Sequence, residues 1–232
     1  MNGYDRCVRY WDGVYATEEP VIPSTPDTGI PALTAGLDWL CDSTQSILDF
    51  GCGNGTALCW CALRGVPSLT GVDLSAEAVR LARARGERMS AGHFEIFHGG
   101  VDVLDSLPDA SFDGVLLMNI LDNLYPQDAD RLLSACARLL RPGGKALITL
   151  NPRLSPKQIK AWNIRVIEGD LLDDGLLLNN LSDRAWQSVI ARHLSCQPPE
   201  PLFMPGQEQP SRLMRARKSG HAIPTNPTGG TP

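Results

Sequence analysis

The chain has 232 residues, 43% apolar and 20% charged, with a formal net charge of −5. That balance excludes the low-hydrophobicity, high-charge regime of disordered chains, and the length suits one folded unit with terminal extensions better than two independent domains. A negative chain has no general attraction to phosphate backbones and no apolar run reaches membrane-spanning length, so neither a nucleic-acid nor a membrane partner is expected.

The first segment, 1–42, reads as a helix and link. Tyr4, Tyr10, Trp11 and Tyr15 crowd its start, Pro20, Pro23, Pro26 and Pro31 punctuate a loop, and Leu33, Leu37 and Leu40 recur at helical spacing over 30–41. A short apolar strand at 47–50 ends in glycines and leads into a helix over 54–64. The strand signal returns at 69–73, and Ser75 with Glu77 supplies an N-cap and first-turn acid for a helix to about 89. Strands follow at 93–98 and 114–118. A helix from about 127 carries Leu132, Leu133, Cys136, Leu139 and Leu140 on one face, is stopped by Pro142-Gly143-Gly144, and gives way to a strand at 146–150.

This alternation predicts an α/β fold: a three-layer, doubly wound sheet, mostly parallel with an antiparallel last strand and helices on both faces. After Leu150 the rhythm changes. Apolar runs at 164–167 and 176–178 flank turn-forming residues, a pattern that predicts a hairpin insertion near 163–181. A helix at 182–193 and strands at 196–202 and 212–217 complete the body, and 219–232, rich in Gly, Pro, Thr and Asn, reads as a disordered tail. The basic cluster Arg212, Arg215, Arg217 and Lys218 reads as a solvated strand edge. Seven cysteines with no Cys-x-x-Cys pair and no secretory leader suggest reduced thiols and a cytoplasmic location. Four histidines at unrelated spacings, and Cys59 and Cys61 on different faces of one helix, suggest no metal site.

The chemistry concentrates in Asp49-Phe-Gly-Cys-Gly-Asn-Gly55, between a strand and a helix, where missing side chains let the backbone approach a ligand. Asp73 closes the second strand 22 residues after Gly51, where a carboxylate can accept from both hydroxyls of a ribose. Alone, Asp49 could cap the next helix and Asp73 close a turn; in register with the glycine turn they indicate a nucleoside cofactor.

These segments, with Gly71-Val-Asp-Leu-Ser75, Ser111-Phe-Asp113 and Arg141-Pro-Gly-Gly144, resemble in order the motifs of the class I (Rossmann-like) S-adenosylmethionine-dependent methyltransferases. The resemblance implies a methyltransferase domain over 43–218 with S-adenosylmethionine as cofactor. Asp49, Gly51 and Gly53 would line its methionine and ribose side, with Cys52 filling the turn. Asp73 would hold the ribose hydroxyls, Leu74 would touch adenine, and Asp102 and Val103 would form the adenine-edge pair, with Asp105 competing for that place. Asn119 would face the sulfonium, followed by Asp122, Asn123 and Tyr125 on the acceptor side. The N-terminal segment would act as a lid, through Tyr10, Trp11 and Tyr15, unless those rings are ordinary packing. The expected partner is a small-molecule methyl acceptor; protein methylation is the alternative. An NAD-dependent oxidoreductase is a weaker reading, because Thr56 occupies the sixth place of its Gly-x-Gly-x-x-Gly turn. A noncatalytic cofactor-binding subunit is the other. No catalytic acid is obligatory, and oligomeric state is not legible.

Overall fold

The structure is a computed structural model that describes residues 4–220; the expected tail, beyond Ser219 and Gly220, lies outside the described residues. The chain runs through helices α1 (Asp5–Tyr15) and α2 (Pro31–Cys41), then β1 (Ser46–Phe50), α3 (Thr56–Leu63), β2 (Ser68–Asp73), α4 (Ala76–Arg88) and β3 (His93–His98). It continues with α5 (Val101–Asp105), β4 (Phe112–Met118), a single 3-10 turn (Leu121–Asn123), α6 (Pro126–Leu139) and β5 (Leu140–Leu150). The last third holds α7 (Pro156–Ala161), β6 (Arg165–Glu168), β7 (Leu171–Asp173), β8 (Leu177–Asn179), α8 (Asp183–Ile190), β9 (Ser195–Cys196), β10 (Glu200–Leu202) and β11 (Ser211–Arg217).

The main sheet has the order β10-β11-β5-β4-β1-β2-β3, with β9 also paired to β11. Pairings β5-β4, β4-β1, β1-β2 and β2-β3 are parallel, and β11 is antiparallel to β5. Because side chains alternate across a strand, Ile47 and Leu147 pack with α2 and α3 on one face, while Leu48, Ala146 and Ile148 pack with α6 and α8 on the other. The expected three layers are therefore present. Order reverses between β1 and β4, so the carboxyl ends of these strands open a crevice where such sheets bind ligands.

Several local expectations need correction. The helix stop is not Pro142-Gly143-Gly144: α6 ends at Leu139, and these residues form an irregularity inside β5, where the register with β4 shifts from Phe112↔Leu140 to Gly114↔Lys145. Pro142 disfavours helical geometry at the residue before it, and Gly143, at φ +78°, donates its N–H to the Lys218 carbonyl. Arg141 in this motif donates to Asp113 at 2.6 Å, and Asp113 also accepts the backbone N–H groups of Gln45 and Ser46. Two of the four motifs thus brace each other at the amino end of the sheet, away from the crevice.

The expected hairpin is instead a separate three-stranded antiparallel sheet, β6-β7-β8, preceded by α7. Ser155 and Gln158 form a reciprocal capping box on α7, and Leu154, Leu172 and Leu178 make a small core with Ile159 and Ile164. We call this unit the cap. Buried Asn180 ties its ends, accepting from Leu154 N at 2.8 Å and donating to Leu154 O at 2.9 Å.

The strand expected at 196–202 is two short ones, separated at Pro198 and Pro199, which cannot donate to a ladder. Nor is the basic cluster a solvated edge. Strand β11 lies inside the sheet, Arg215 and Arg217 lie 5.9 and 5.2 Å from the Trp39 ring centroid, and Arg212 is buried, donating to the carbonyls of Asn151 and Leu181.

Candidate active site

Strand β1 ends in a turn that three glycines hold in the left-handed region, Gly51 at φ +75°, Gly53 at +52° and Gly55 at +79°. The turn is pinned to the neighbouring strand, since Gly51 and Cys52 both donate to the Val72 carbonyl, at 2.8 and 3.1 Å. Next to it, Asp73 accepts the Gly53 N–H on one carboxyl oxygen and the Ser75 N–H on the other, each at 2.8 Å. One carboxylate therefore fixes both the glycine turn and the start of α4, and each oxygen retains acceptor capacity. Burial raises the pKa of Asp73 despite those two donors.

The turn opens on a cavity of about 1180 Å³. Gly51, Gly53, Asp73, Leu74, Asp102, Asn119 and Asn123 line it, as do Tyr10, Trp11 and Tyr15 from α1. Asn119 sits just past β4 at φ +51°, an unusual conformation for a non-glycine residue, locked by its N–H to the Thr149 carbonyl at 3.0 Å and its side-chain oxygen to the Thr149 hydroxyl at 2.9 Å.

Residues 48–148 match the family described as methyltransferase domain. Over this segment the chain is similar to that family, on a sheet of Rossmann-like order. A ubiquinone biosynthesis O-methyltransferase from Xanthomonas oryzae pv. oryzae is 37% identical over 144 residues, 62% of this chain and 56% of that protein. A ribosomal protein L11 methyltransferase from Burkholderia lata is 31% identical over 122 residues, 51% of this chain and 37% of that protein. The chain thus matches about half or less of the length of these curated relatives. Among solved structures, N-methyltransferase NodS from Bradyrhizobium japonicum, in complex with S-adenosylhomocysteine, aligns at TM-score 0.66 and 16% identity, covering 92% of this chain and 99% of that one. A 1,6-didemethyltoxoflavin-N1-methyltransferase from Burkholderia thailandensis aligns at TM-score 0.62 and 20% identity, covering 91% and 84%. At such identities the structural likeness is one of fold.

At this site the residues present fit S-adenosylmethionine. A Cβ on Gly53 would lie 2.7 Å from the Tyr15 hydroxyl, so a side chain there would have to displace the Tyr15 ring as well as adopt φ +52°. Asp49 is buried with one carboxyl oxygen lacking any partner, and burial followed by the charge of Asp73 lifts its pKa to about 8. A cationic ligand relieves two neighbouring acids of this kind.

The remaining sequence candidates fall into two groups. Asp49, Cys52, Val103, Asp122 and Tyr125 stand behind the cavity wall rather than on it. Cys52 packs under the turn, 2.9 Å from where a Gly71 Cβ would sit, and Val103 packs on the core while Val101 takes the wall position. Asp122 is fully buried and accepts the Asn151 N–H at 2.6 Å; burial lifts its pKa to about 6 against that bond and the charge of Arg212. Asp102 does reach the cavity, but as a first-turn acid of α5 with its side chain 87% exposed, paired with Arg131 at 2.9 Å; Asp105 shares the same arginine at 2.7 Å.

Helix α1 is fastened over the site from three sides. Asp12 accepts the Ser75 hydroxyl at 2.6 Å, Tyr4 donates to Asp128 at 2.6 Å and accepts from Tyr125 N at 3.1 Å, and Arg6 pairs with Asp173 of the cap. Behind it, Glu18 pairs with buried Arg85 at 2.6 Å, whose guanidinium also donates to the carbonyls of Val21 and Asn54. Trp11 and Tyr15 stack at 5.7 Å. Sequence reasoning missed the far wall, made by Leu154, Trp162, Leu176 and Leu178 of the cap.

Proposed function

We propose that the protein transfers the methyl group of S-adenosylmethionine to a small organic acceptor by in-line displacement at carbon. The observation that carries this reading is the Gly53–Asp73 hydrogen bond at the mouth of the cavity, which presents a bare turn and a ribose-binding carboxylate together. When bound, the cofactor supplies a methyl group already activated by a positive sulfur. The chain's own task is then alignment and exclusion of water.

We assign Asp73 to the ribose hydroxyls, Gly51 and Gly53 to the methionine side, Leu74 with the 99–102 segment to adenine, and Asn119 to the mouth where methyl and acceptor meet. At about 1180 Å³ the cavity exceeds the roughly 300–1,000 Å³ of a typical single-ligand site, which leaves room for an acceptor beside the cofactor. Its enclosure by α1 and the cap supports a small acceptor over a protein side chain. Seven free cysteines, five of them buried, support a reducing, cytoplasmic setting, and no helix among the described residues is long and apolar enough to cross a membrane.

Separate calorimetric titrations with S-adenosylhomocysteine and NADH test the cofactor; heat is expected only from the first, and the reverse would move the protein to the oxidoreductases. Methyl transfer to a metabolite mixture but not to a protein extract is the expected second result. Absence of transfer to either would leave a noncatalytic binding subunit. The lid is tested by deleting residues 1–19, which removes Tyr15 from the turn and the Tyr4, Arg6, Asp12 and Glu18 ties. S-adenosylhomocysteine affinity should fall by roughly tenfold or more, the loss of two or so hydrogen-bonded anchors. Unchanged affinity in the truncated protein would show α1 to be packing only.

A further inference from the structure

We propose that the acceptor is a planar aryl or heteroaryl compound whose nucleophile is a weakly basic nitrogen, uncharged at neutral pH and becoming cationic as the methyl group arrives. This rests on the methyltransferase reading above and narrows its substrate class.

The cap lends the cavity the apolar side chains of Leu154, Leu176 and Leu178 and the indole of Trp162, which is 59% exposed, beside the polar Gln158 and Asp174. Such a surface rewards an aromatic ring. The charge around it is one-sided. Asp128, Asp174 and Glu208 are among the lining residues of the cavity, while the one cation among them, Arg131, is already shared by Asp102 and Asp105 at 2.9 and 2.7 Å. Arg6 and Arg165 both pair with Asp173 of the cap. A carboxylate or phosphate on the acceptor would therefore face acids with no counter-charge, an arrangement that disfavours binding.

The nucleophile follows from the same census. A hydroxyl must lose its proton to attack well, yet no histidine lines the cavity, Asp128 already accepts the Tyr4 hydroxyl at 2.6 Å, and exposed carboxylates such as Asp174 and Glu208 are weak bases toward an aryl hydroxyl with a pKa of about 10. An alkylamine, with a pKa near the roughly 10.4 of lysine, arrives protonated and without a free lone pair, and nearby carboxylates hold it so. An aryl nitrogen arrives neutral. Its lone pair forms the new N–C bond, the electrons of the breaking C–S bond pass to sulfur, and the nitrogen gains the positive charge that sulfur loses. Asp174 and Glu208 then stabilise a charge present in the transition state but not in the ground state, and the excess proton leaves to one of them or to water.

The test uses four probes of one shape: 2-naphthylamine, 2-naphthol, 2-naphthoate and 2-naphthylmethylamine. Each is titrated into protein saturated with S-adenosylhomocysteine, and each is incubated with S-adenosylmethionine and analysed for methylated product by mass. Saturation with S-adenosylhomocysteine is itself the control, because its failure sinks the parent reading and not this one. We expect 2-naphthylamine to be methylated on nitrogen roughly tenfold or more faster than the other three, with 2-naphthoate the weakest binder. In the doubly substituted Asp174→Lys, Glu208→Lys protein, both positions being exposed, 2-naphthoate should gain roughly tenfold in affinity. Naphthol or naphthoate performing as well as the arylamine, no binding of the arylamine to loaded protein, or an unmoved naphthoate affinity in the double variant would each overturn the proposal.

Discussion

Replacing Asp73 by alanine should weaken S-adenosylhomocysteine binding by roughly 100-fold or more while leaving the fold in place. Charge-assisted hydrogen bonds contribute about 1.5–3 kcal/mol each, and each 1.4 kcal/mol is tenfold, so on the proposed assignment of Asp73 to two ribose hydroxyls their loss suffices for this figure. The variant also frees the N–H groups of Gly53 and Ser75, which releases the turn that Asp73 holds at 2.8 Å on each side. The fold should survive, because the Ser75 hydroxyl still caps α4 by accepting the Ala78 N–H at 3.1 Å, and the strand pairings of β2 do not involve the side chain. Asp73→Asn should fall between, since its amide keeps one acceptor but turns an N–H group toward a backbone donor. Calorimetry gives the affinity and far-UV circular dichroism the fold; an affinity within about threefold of the parent protein would remove Asp73 from the cofactor site.

The parts of the fold legible in the sequence are those whose signal is local and long enough to repeat. Strands β1, β2 and β4 are apolar runs bounded by glycines or acids, and α4 announces itself by Ser75, whose hydroxyl does accept the Ala78 N–H. The missed helices, α5 and α7, have five and six residues, too few for a 3.6-residue period to show. For α7 a signal was present all the same: Ser155-Pro-Lys-Gln158 is a capping-box sequence followed by Ile159. Strand β7 has three residues between two turns, so a three-stranded sheet looked like a two-stranded one. The Pro142-Gly143-Gly144 segment was misjudged for a different reason. Its role depends on Lys218, 74 residues or more further along, whose N–H and carbonyl bond to Gly144 and Gly143.

The candidate site divides along the same line. That the glycine turn and Asp73 meet at the cavity was legible because a glycine-rich turn and a strand-end carboxylate are local sequence features. The cap wall was not, since Leu154, Leu176 and Leu178 look like any core leucine until the small sheet is placed beside Asn119 and the 3-10 turn. Asp122 and Tyr125 illustrate the converse error: loop polarity suggested a substrate contact, whereas one carboxylate is buried bracing Asn151 and the phenol ring packs edge-on to Tyr4 at 5.6 Å.

Asp49→Asn should make the ligand-free protein more stable in alkaline solution and leave it unchanged in acid. Asp49 titrates near 8 in the folded chain and near 3.9 when unfolded, so between those values the folded state holds the extra proton. Its contribution is therefore fully present below about pH 4 and is lost as the pH rises through about 8, where a buried, unpartnered carboxylate must ionise beside Asp73. Asparagine has the same shape and never ionises. The difference in melting temperature between variant and parent should thus grow from about zero at pH 4 or below to roughly 5 °C or more at pH 9, given a few kcal/mol of linkage in a chain of this size. The gain should come with a loss, because an ionised acid beside Asp73 would attract a cationic cofactor, and the affinity for S-adenosylmethionine should drop in the variant most at high pH. Melting curves at several pH values and parallel titrations check both halves. A stability difference independent of pH would mean that Asp49 is ionised throughout and that its buried oxygen is satisfied in the ligand-free protein.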